Sequence, residues 1–155
     1  MNERQQFCSF HVDNLLFGVD VHKVQEVIRH LDITRVPSAP PSVRGLINLR
    51  SQIIAAIDVR RCLDLPDRLP HGLFVHLICR TEDGPVSFLV DEIGEVLELA
   101  EDALAFSPEA LNGRLRECVC DAYKLPDRLL LVLDTERMLR AASAAECGAT
   151  PGGAR

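Results

Sequence analysis

The sequence predicts a mostly β protein built as two small barrels packed together. Three observations carry that expectation. The apolar runs are short, about 5 to 8 residues, and rich in Val, Ile and Leu. Turn-forming pairs recur between them, as in Asp13-Asn14, Asp83-Gly84 and Pro126-Asp127. The strand-like runs fall into two halves of about 65 to 70 residues. A half of that size is marginal as an independent core, so the two are expected to share an apolar interface.

Along the chain, residues 7–12 alternate, with Cys8, Phe10 and Val12 on one face and Phe7, Ser9 and His11 on the other. Asp13 and Asn14 tolerate positive φ and make a two-residue turn, after which residues 15–19 return as the second strand. Asp20 is a good N-cap for a short helical segment in which Val21, Val24 and Ile28 recur at helical spacing. Pro37, Pro40 and Pro41 mark an irregular crossover. Residues 42–44 are expected to make one helical turn stopped by Gly45.

The next stretch organises the first half. Residues 46–50 read as a strand, Ser51-Gln52 as a tight turn and residues 53–59 as a second strand. That second strand is apolar on both alternating faces, the pattern of an enclosed strand. In the first, Ile47 and Leu49 share one face while Leu46, Asn48 and Arg50 share the other. Asn48 and Arg50 are therefore expected at a rigid surface. A short helix over 60–65 closes at Pro66, and the polar segment 66–72 is the best internal boundary.

Strand patterns restart over 73–80, 86–90 and 92–99. Residues 101–113 read as a loop with short helical turns, Ser107-Pro108-Glu109 forming a capped start. Residues 115–125 and 128–133 form the last hairpin. Asp134 caps a C-terminal helix containing Met138 and Leu139, and the tail from Ser143, with its glycines and Pro151, reads as disordered.

Composition narrows the function. A chain that is 47% hydrophobic and 26% charged is globular in character. Its apolar runs fall short of the ~20 residues that cross a bilayer, and no basic-then-apolar leader is visible at its start. No direct membrane insertion is expected. The formal charge of −6 argues against nucleic acid as a partner. Most of the six cysteines, among them Cys8, Cys79, Cys118 and Cys120, sit in strand-like runs, where free Cys behaves as a small buried hydrophobe. Cys118 and Cys120 are two apart in the expected strand, so they point the same way but lack a C-x-x-C spacing. Neither a metal nor a cofactor is expected.

Catalysis finds little support. There is no G-x-S-x-G, no H-E-x-x-H and no Gly-rich phosphate loop. The five histidines, at 11, 22, 30, 71 and 76, fall singly, and Asp91-Glu92 and Glu101-Asp102 read as solvated turn carboxylates. By contrast, Val24, Val27 and Ile28 on a helix cannot all face one core, since adjacent helical positions diverge by about 100°. At least one of them is expected to be exposed or to sit in a groove, and an exposed apolar residue flanked by a charge pair suits the docking of an amphipathic helix.

The run Arg44-Gly45-Leu46-Ile47-Asn48-Leu49-Arg50, continued through Val59-Arg60, resembles the signature of the CheW family, the coupling proteins of bacterial chemotaxis. So do Phe17 to Ile28, Ile33 to Pro37 and Asp127 to Asp134. The likeness covers roughly residues 5 to 140, in order. It implies two side-by-side five-stranded SH3-like β-barrels with short helices and a C-terminal helix. On that pattern residues 1–142 form one domain. The first barrel spans about 5–66, with possible exchange of the termini, the second about 73–134, and the helix 135–142, leaving 143–155 as tail.

The resemblance further implies a non-enzymatic adaptor in the cytoplasm, recruited to receptor arrays at the inner face of the membrane. It would join the cytoplasmic tip of a chemoreceptor to the regulatory domain of a CheA-type histidine kinase. A Glu–Arg salt bridge that shapes the family's partner-binding surface carries over to Glu26 and Arg50. Val24, Glu26, Ile28, Asn48 and Arg50 then become the receptor-binding groove. Val19, Val21, Leu97 and Leu99 are candidates for kinase contact, although each also suits a core. Two positions depart from the family pattern. Ser51 stands where Gly is usual, and Ala56 where Pro is frequent. If position 51 needs positive φ, Ser is strained there by ~1–2 kcal/mol. Two other functions remain open: coupling in a pilus-motility or surface-sensing pathway, and a metal or redox protein built on Cys118, Cys120 and a nearby His.

Overall fold

The computed structural model describes residues 4–66, 74–100, 104–106, 111 and 113–148. Among these, eleven strands form two sheets. The first hairpin is β1 (Arg4–Val12) and β2 (Leu15–Asp20), turned at Asp13, whose φ is 60°. A 3-10 turn (Val21–Lys23), capped by Asp20, leads into β3 (Val24–Ile28). Then come β4 (Val43–Leu49), β5 (Gln52–Asp58) and the short helix α1 (Val59–Cys62). The second half holds β6 (Val75–Thr81), β7 (Gly84–Val90), β8 (Glu92–Ala100) and β9 (Leu104–Phe106). Helix α2 (Gly113–Cys118), β10 (Val119–Lys124), β11 (Leu129–Leu133) and helix α3 (Thr135–Gly148) complete it.

The mostly β architecture is the one the sequence predicts, but the sheets do not divide at the 66–73 junction. One sheet has the order β8-β1-β2-β11-β10-β9 and the other β3-β6-β7-β5-β4. The N-terminal hairpin thus joins the C-terminal strands through the parallel pair β2–β11. In exchange, β6 and β7 join the N-terminal strands through the parallel pair β5–β7. The exchange is therefore deeper than one of termini alone, and the first sheet carries a sixth strand, β9, inside a segment expected to be loop.

Both sheets curl. Strands β8 and β9 lie at opposite edges, yet Ala100 and Leu104 are only four chain steps apart. Four steps reach at most about 15 Å, whereas a flat six-stranded sheet is about 24 Å across. In the second sheet, Glu26 on the β3 edge meets Arg50 at the end of the β4 edge at 2.5 and 2.8 Å. The β3–β4 connection also covers the β4 edge, Thr34 and Leu46 exchanging two backbone hydrogen bonds of 2.8 Å. A free edge is a template for unwanted pairing, and curling with edge cover removes it.

Three cores follow from the alternation of side chains. Phe10, Val12, Phe17 and Val19 from one sheet meet Ile57, Leu77, Phe88 and Val90 from the other in a central core, joined by Met138 and Ala141 of α3. On the far face of the first sheet lie Phe7, Leu16, Tyr123, Leu130 and Val132. Ile47, Leu49, Ile54, Ala56, Ile78 and Leu89 fill the second sheet. Strands β1, β2, β5, β6, β7 and β11 therefore each feed two cores, which is why several read as continuous apolar runs. Arg60, 9% exposed, ties the corners together. It donates to both Asp91 carboxylate oxygens (3.2 and 2.6 Å) and to the Pro66 carbonyl (2.8 Å), with Asp13 at 3.6 Å.

Several local expectations need correction. The helical segment stops at Lys23, and Val24–Ile28 is a strand paired with β6. Residues 42–44 are not helical, because β4 begins at Val43 and Gly45 lies within it at a bulge. The hairpin turn is Arg50-Ser51 rather than Ser51-Gln52, both with positive φ (51° and 69°). Strand β5 is not enclosed on both faces, since Ile53 is 61% exposed. The strand expected over 115–125 begins only at Val119, because Gly113–Cys118 is helix, so Cys118 and Cys120 do not share a strand face. Cys118 enters the central core and Cys120 packs on the opposite one. Asp134 does cap α3, accepting from the backbone N–H of Glu136 and Arg137 at 2.9 and 3.1 Å. That helix runs to Gly148, past the end expected at 142 and into the stretch read as disordered from Ser143. The capped start at 107–109 and the boundary at 67–72 lie outside the described residues.

Candidate protein-interaction site

The site is built on the β4–β5 hairpin and the strand that meets it. Arg50 and Ser51 both adopt left-handed backbone, the geometry of a two-residue turn matched to strand twist. Asn48 Oδ1 accepts from the Ser51 N–H at 3.0 Å and fixes the turn. Arg50 is thereby held at the tip, 69% exposed in its side chain, and its guanidinium forks onto both oxygens of Glu26. Glu26 is more sheltered, with 25% of its side chain exposed. The hydrogen bond from Arg50 holds the Glu26 carboxyl below the usual glutamate range, outweighing partial desolvation, and Glu26 in turn raises Arg50. At neutral pH the pair is fully ionised.

Because Val24–Ile28 is a strand, its faces alternate. Val24, Glu26 and Ile28 are half-buried while Gln25 and Val27 are exposed. Val24 packs on the central core and Ile28 on the core of the second sheet. Of the five groove candidates, the structure brings Glu26 and Arg50 into direct contact, gives Asn48 a turn-shaping role, and uses Val24 and Ile28 mainly as packing. The open apolar groups are Val27, 38% exposed, and Ile53. Ile53 escapes a reading based on run length. The cross-strand partnership with Asn48 is the signal that finds it, since partners across an antiparallel pair share a face.

The second set fares differently. Val19 is 1% exposed in the central core and has no surface to offer a partner. Leu97 and Leu99 are half-buried against Phe7 and Tyr123, while Val96 between them and the first half of β8 is 55% exposed. Val21 is half-buried in the 3-10 turn.

Burial pushes Cys79 up to about 12 and Cys120 to about 11, while the hydrogen bond between Cys62 and Cys118 raises Cys62, reinforced by burial, and holds Cys118 below the ordinary thiol value. Thiols raised as Cys62, Cys79 and Cys120 are make poor nucleophiles and poor ligands. Among the described residues, no three His, Cys, Asp or Glu side chains gather as a metal cluster. His76 is buried and faces Ser87, its Nδ1 at 3.0 Å from the hydroxyl. Among the described residues, no helix is long and apolar enough to cross a membrane.

What this geometry defines is an interaction module, two curled sheets that hold a rigid ion pair and open apolar side chains at a surface. The family model for the CheW-like domain matches residues 6–143, and the chain belongs to that family. It is 27% identical over 141 residues to the chemotaxis protein CheW of Treponema pallidum, covering 88% of this chain and 83% of that protein. To the chemotaxis protein CheW of Thermotoga maritima it is 28% identical over 134 residues, covering 86% and 87%. The crystal structure of the scaffolding protein TtCheW from Thermoanaerobacter tengcongensis superposes with a TM-score of 0.78 at 23% identity. That match covers 85% of this chain and 90% of that one, and it shows the shared fold.

Proposed function

We propose that this protein is a non-enzymatic cytoplasmic adaptor of a chemotaxis-type pathway. It couples the cytoplasmic tip of a chemoreceptor to the regulatory domain of a CheA-type histidine kinase, at arrays under the inner face of the membrane. The observation that supports this reading is the forked Glu26–Arg50 pair at the closure of the second sheet, on a strand and hairpin that also carry the exposed Val27 and Ile53. Such a surface suits an amphipathic helix, whose apolar residues cover Val27 and Ile53 while its polar flank meets the ion pair. The receptor face comprises Glu26, Arg50 and Asn48, with Val24 and Ile28 holding them in place. The kinase face comprises Val21 and the β8 edge with Leu97 and Leu99, to which Val96 adds open apolar area. Single contacts of this size are weak and gain strength from repetition in an array.

Mixing the purified protein with a kinase regulatory domain and a receptor cytoplasmic fragment tests the reading. Arg50→Glu places two carboxylates together at the surface, and the ternary complex is expected to disappear while the circular dichroism spectrum is kept. A complex that survives Arg50→Glu refutes the receptor face. Turnover of a substrate by the protein alone would refute the adaptor. Capture of receptors of a pilus-motility pathway in preference to swimming receptors would keep the mechanism and change the pathway.

A further inference from the structure

Strand β3 sends alternate residues to different cores. Regular alternation would put Val24, Glu26 and Ile28 on one face. Yet Val24 packs on the central core and Ile28 on the core of the second sheet. A bulge is the cause. Val24 pairs with Cys79 and Glu26 with Ile78, so β3 advances two residues where β6 advances one, and Gln25 is the extra residue. Partners across an antiparallel pair share a face. Glu26 therefore takes the side of Ile78, in the core of the second sheet, and not that of Cys79 in the central core. On that side its carboxylate meets Arg50 at 2.5 and 2.8 Å.

A side chain of β6 holds the bulge. Arg80 follows Cys79, and its Nη1 donates to the His22 carbonyl at 3.0 Å and to the Val24 carbonyl at 3.3 Å. The first carbonyl belongs to the 3-10 turn and the second to the residue just before Gln25. The Val24 N–H closes that turn on the Val21 carbonyl, so turn and bulge share a residue. One guanidinium thus fixes two carbonyls at the point where the register changes. Pairing without the bulge would set Gln25 opposite Ile78 and Glu26 opposite Leu77, a residue of the central core. Glu26 would then leave the side on which it meets Arg50.

We infer that Arg80 is a positioning residue of the Glu26–Arg50 site: through the His22 and Val24 carbonyls it sets the bulge that aims Glu26 at Arg50. Its bearing on receptor affinity rests on the adaptor reading, whereas the aim of Glu26 is a property of this chain alone. Arg80 is exposed and both bonds lie at the surface, so its loss returns two carbonyls to water and orphans no buried group.

The test uses the full chain, ¹³C-labelled at the glutamate carboxyls, with the receptor cytoplasmic fragment as the binding probe. In the wild type, the bond from Arg50 should hold the Glu26 titration below the ordinary glutamate value. Arg80→Met should raise it toward that ordinary value, and Arg80→Lys, which keeps a donating cation on a long stem, should recover much of the difference. Receptor-fragment affinity should fall by about threefold to tenfold in Arg80→Met. The melting temperature should fall by less than about 5 °C. An unchanged Glu26 titration in Arg80→Met overturns the inference, as does a Lys variant that titrates like the Met variant. A larger fall in melting temperature would make Arg80 a general support of the fold and also overturns it. Wild-type protein that binds no receptor fragment defeats the adaptor reading alone, and the Glu26 titration still decides the role of Arg80.

Discussion

Replacing Gly45 by Ala should open the second sheet. Gly45 sits at a β4 bulge with φ +155°, where its absent side chain admits the crossover. A Cβ built there would lie 2.2 Å from the Thr34 carbonyl oxygen and 2.9 Å from Ile33 Cγ2. Backbone must move, because neither the oxygen nor the glycine's φ is adjustable by a rotamer. The backbone conformation costs about 1–3 kcal/mol for a residue with a side chain. The displaced Thr34–Leu46 bridge forfeits two hydrogen bonds at about 0.5–1.5 kcal/mol each. Reduced freedom of the unfolded chain returns about 0.4–1 kcal/mol. A net loss of about 2–4 kcal/mol remains, equivalent to about 5–15 °C in a chain of this length. Urea denaturation should show a lower midpoint at unchanged slope, and the Thr34 and Leu46 amides should exchange faster. A loss under about 1 kcal/mol with both amides still protected would refute the proposition that this glycine closes the sheet.

Three further outcomes follow. Ser51→Gly relieves a left-handed residue (φ 69°). The gain of ~1–2 kcal/mol exceeds the ~0.5–1 kcal/mol entropic cost of glycine, so the urea midpoint should rise slightly, and a midpoint that falls would show that the turn is unstrained. Burial lowers the pKa of His76, outweighing the hydrogen bond to the Leu31 backbone, so the folded state holds it neutral. The unfolded chain then takes up the proton first, and stability should fall as pH drops below about 6.5; His76→Asn should flatten that slope, and an unchanged slope counts against the assignment. Arg60→Met leaves Asp91 and Asp13 without their shared cation and should cost about 2–4 kcal/mol, whereas Arg60→Met with Asp91→Leu recovers much of it in a thermal melt. No recovery in the double variant would mean that packing of the Arg60 stem, and not charge, holds the corner.

Hairpins were the most legible part of the fold. Asp13 takes its positive φ locally, and Asp134 caps α3 with its own side chain, so a short window of residues suffices. The segment 21–28 was ambiguous because Val21, Val24 and Ile28 fit a helix while Val24, Glu26 and Ile28 fit a strand. Pairing with β6, some fifty residues on, resolves it. The start of the strand expected over 115–125 failed for a related reason, a helix of six residues with only Leu115 and Cys118 as large apolar positions being too short to declare its period. The Glu26–Arg50 pairing rested on family resemblance, since two charged residues 24 apart carry no mark of contact. Val19 illustrates the converse: an apolar residue at a strand end gives no local sign of whether it faces a partner or a core.

The sequence by itself determined that the chain is mostly β and where most of its hairpins turn. Those properties depend on residue type and near neighbours. Only the tertiary structure decided which hairpins share a sheet, how each sheet curls shut, and which side chains stay open. Strand period reports that a face is apolar but not what covers it, and covering is a matter of distant segments. Ile53 stands in water and Val19 in the core because of the strands beside them, although the two are equally apolar in the sequence.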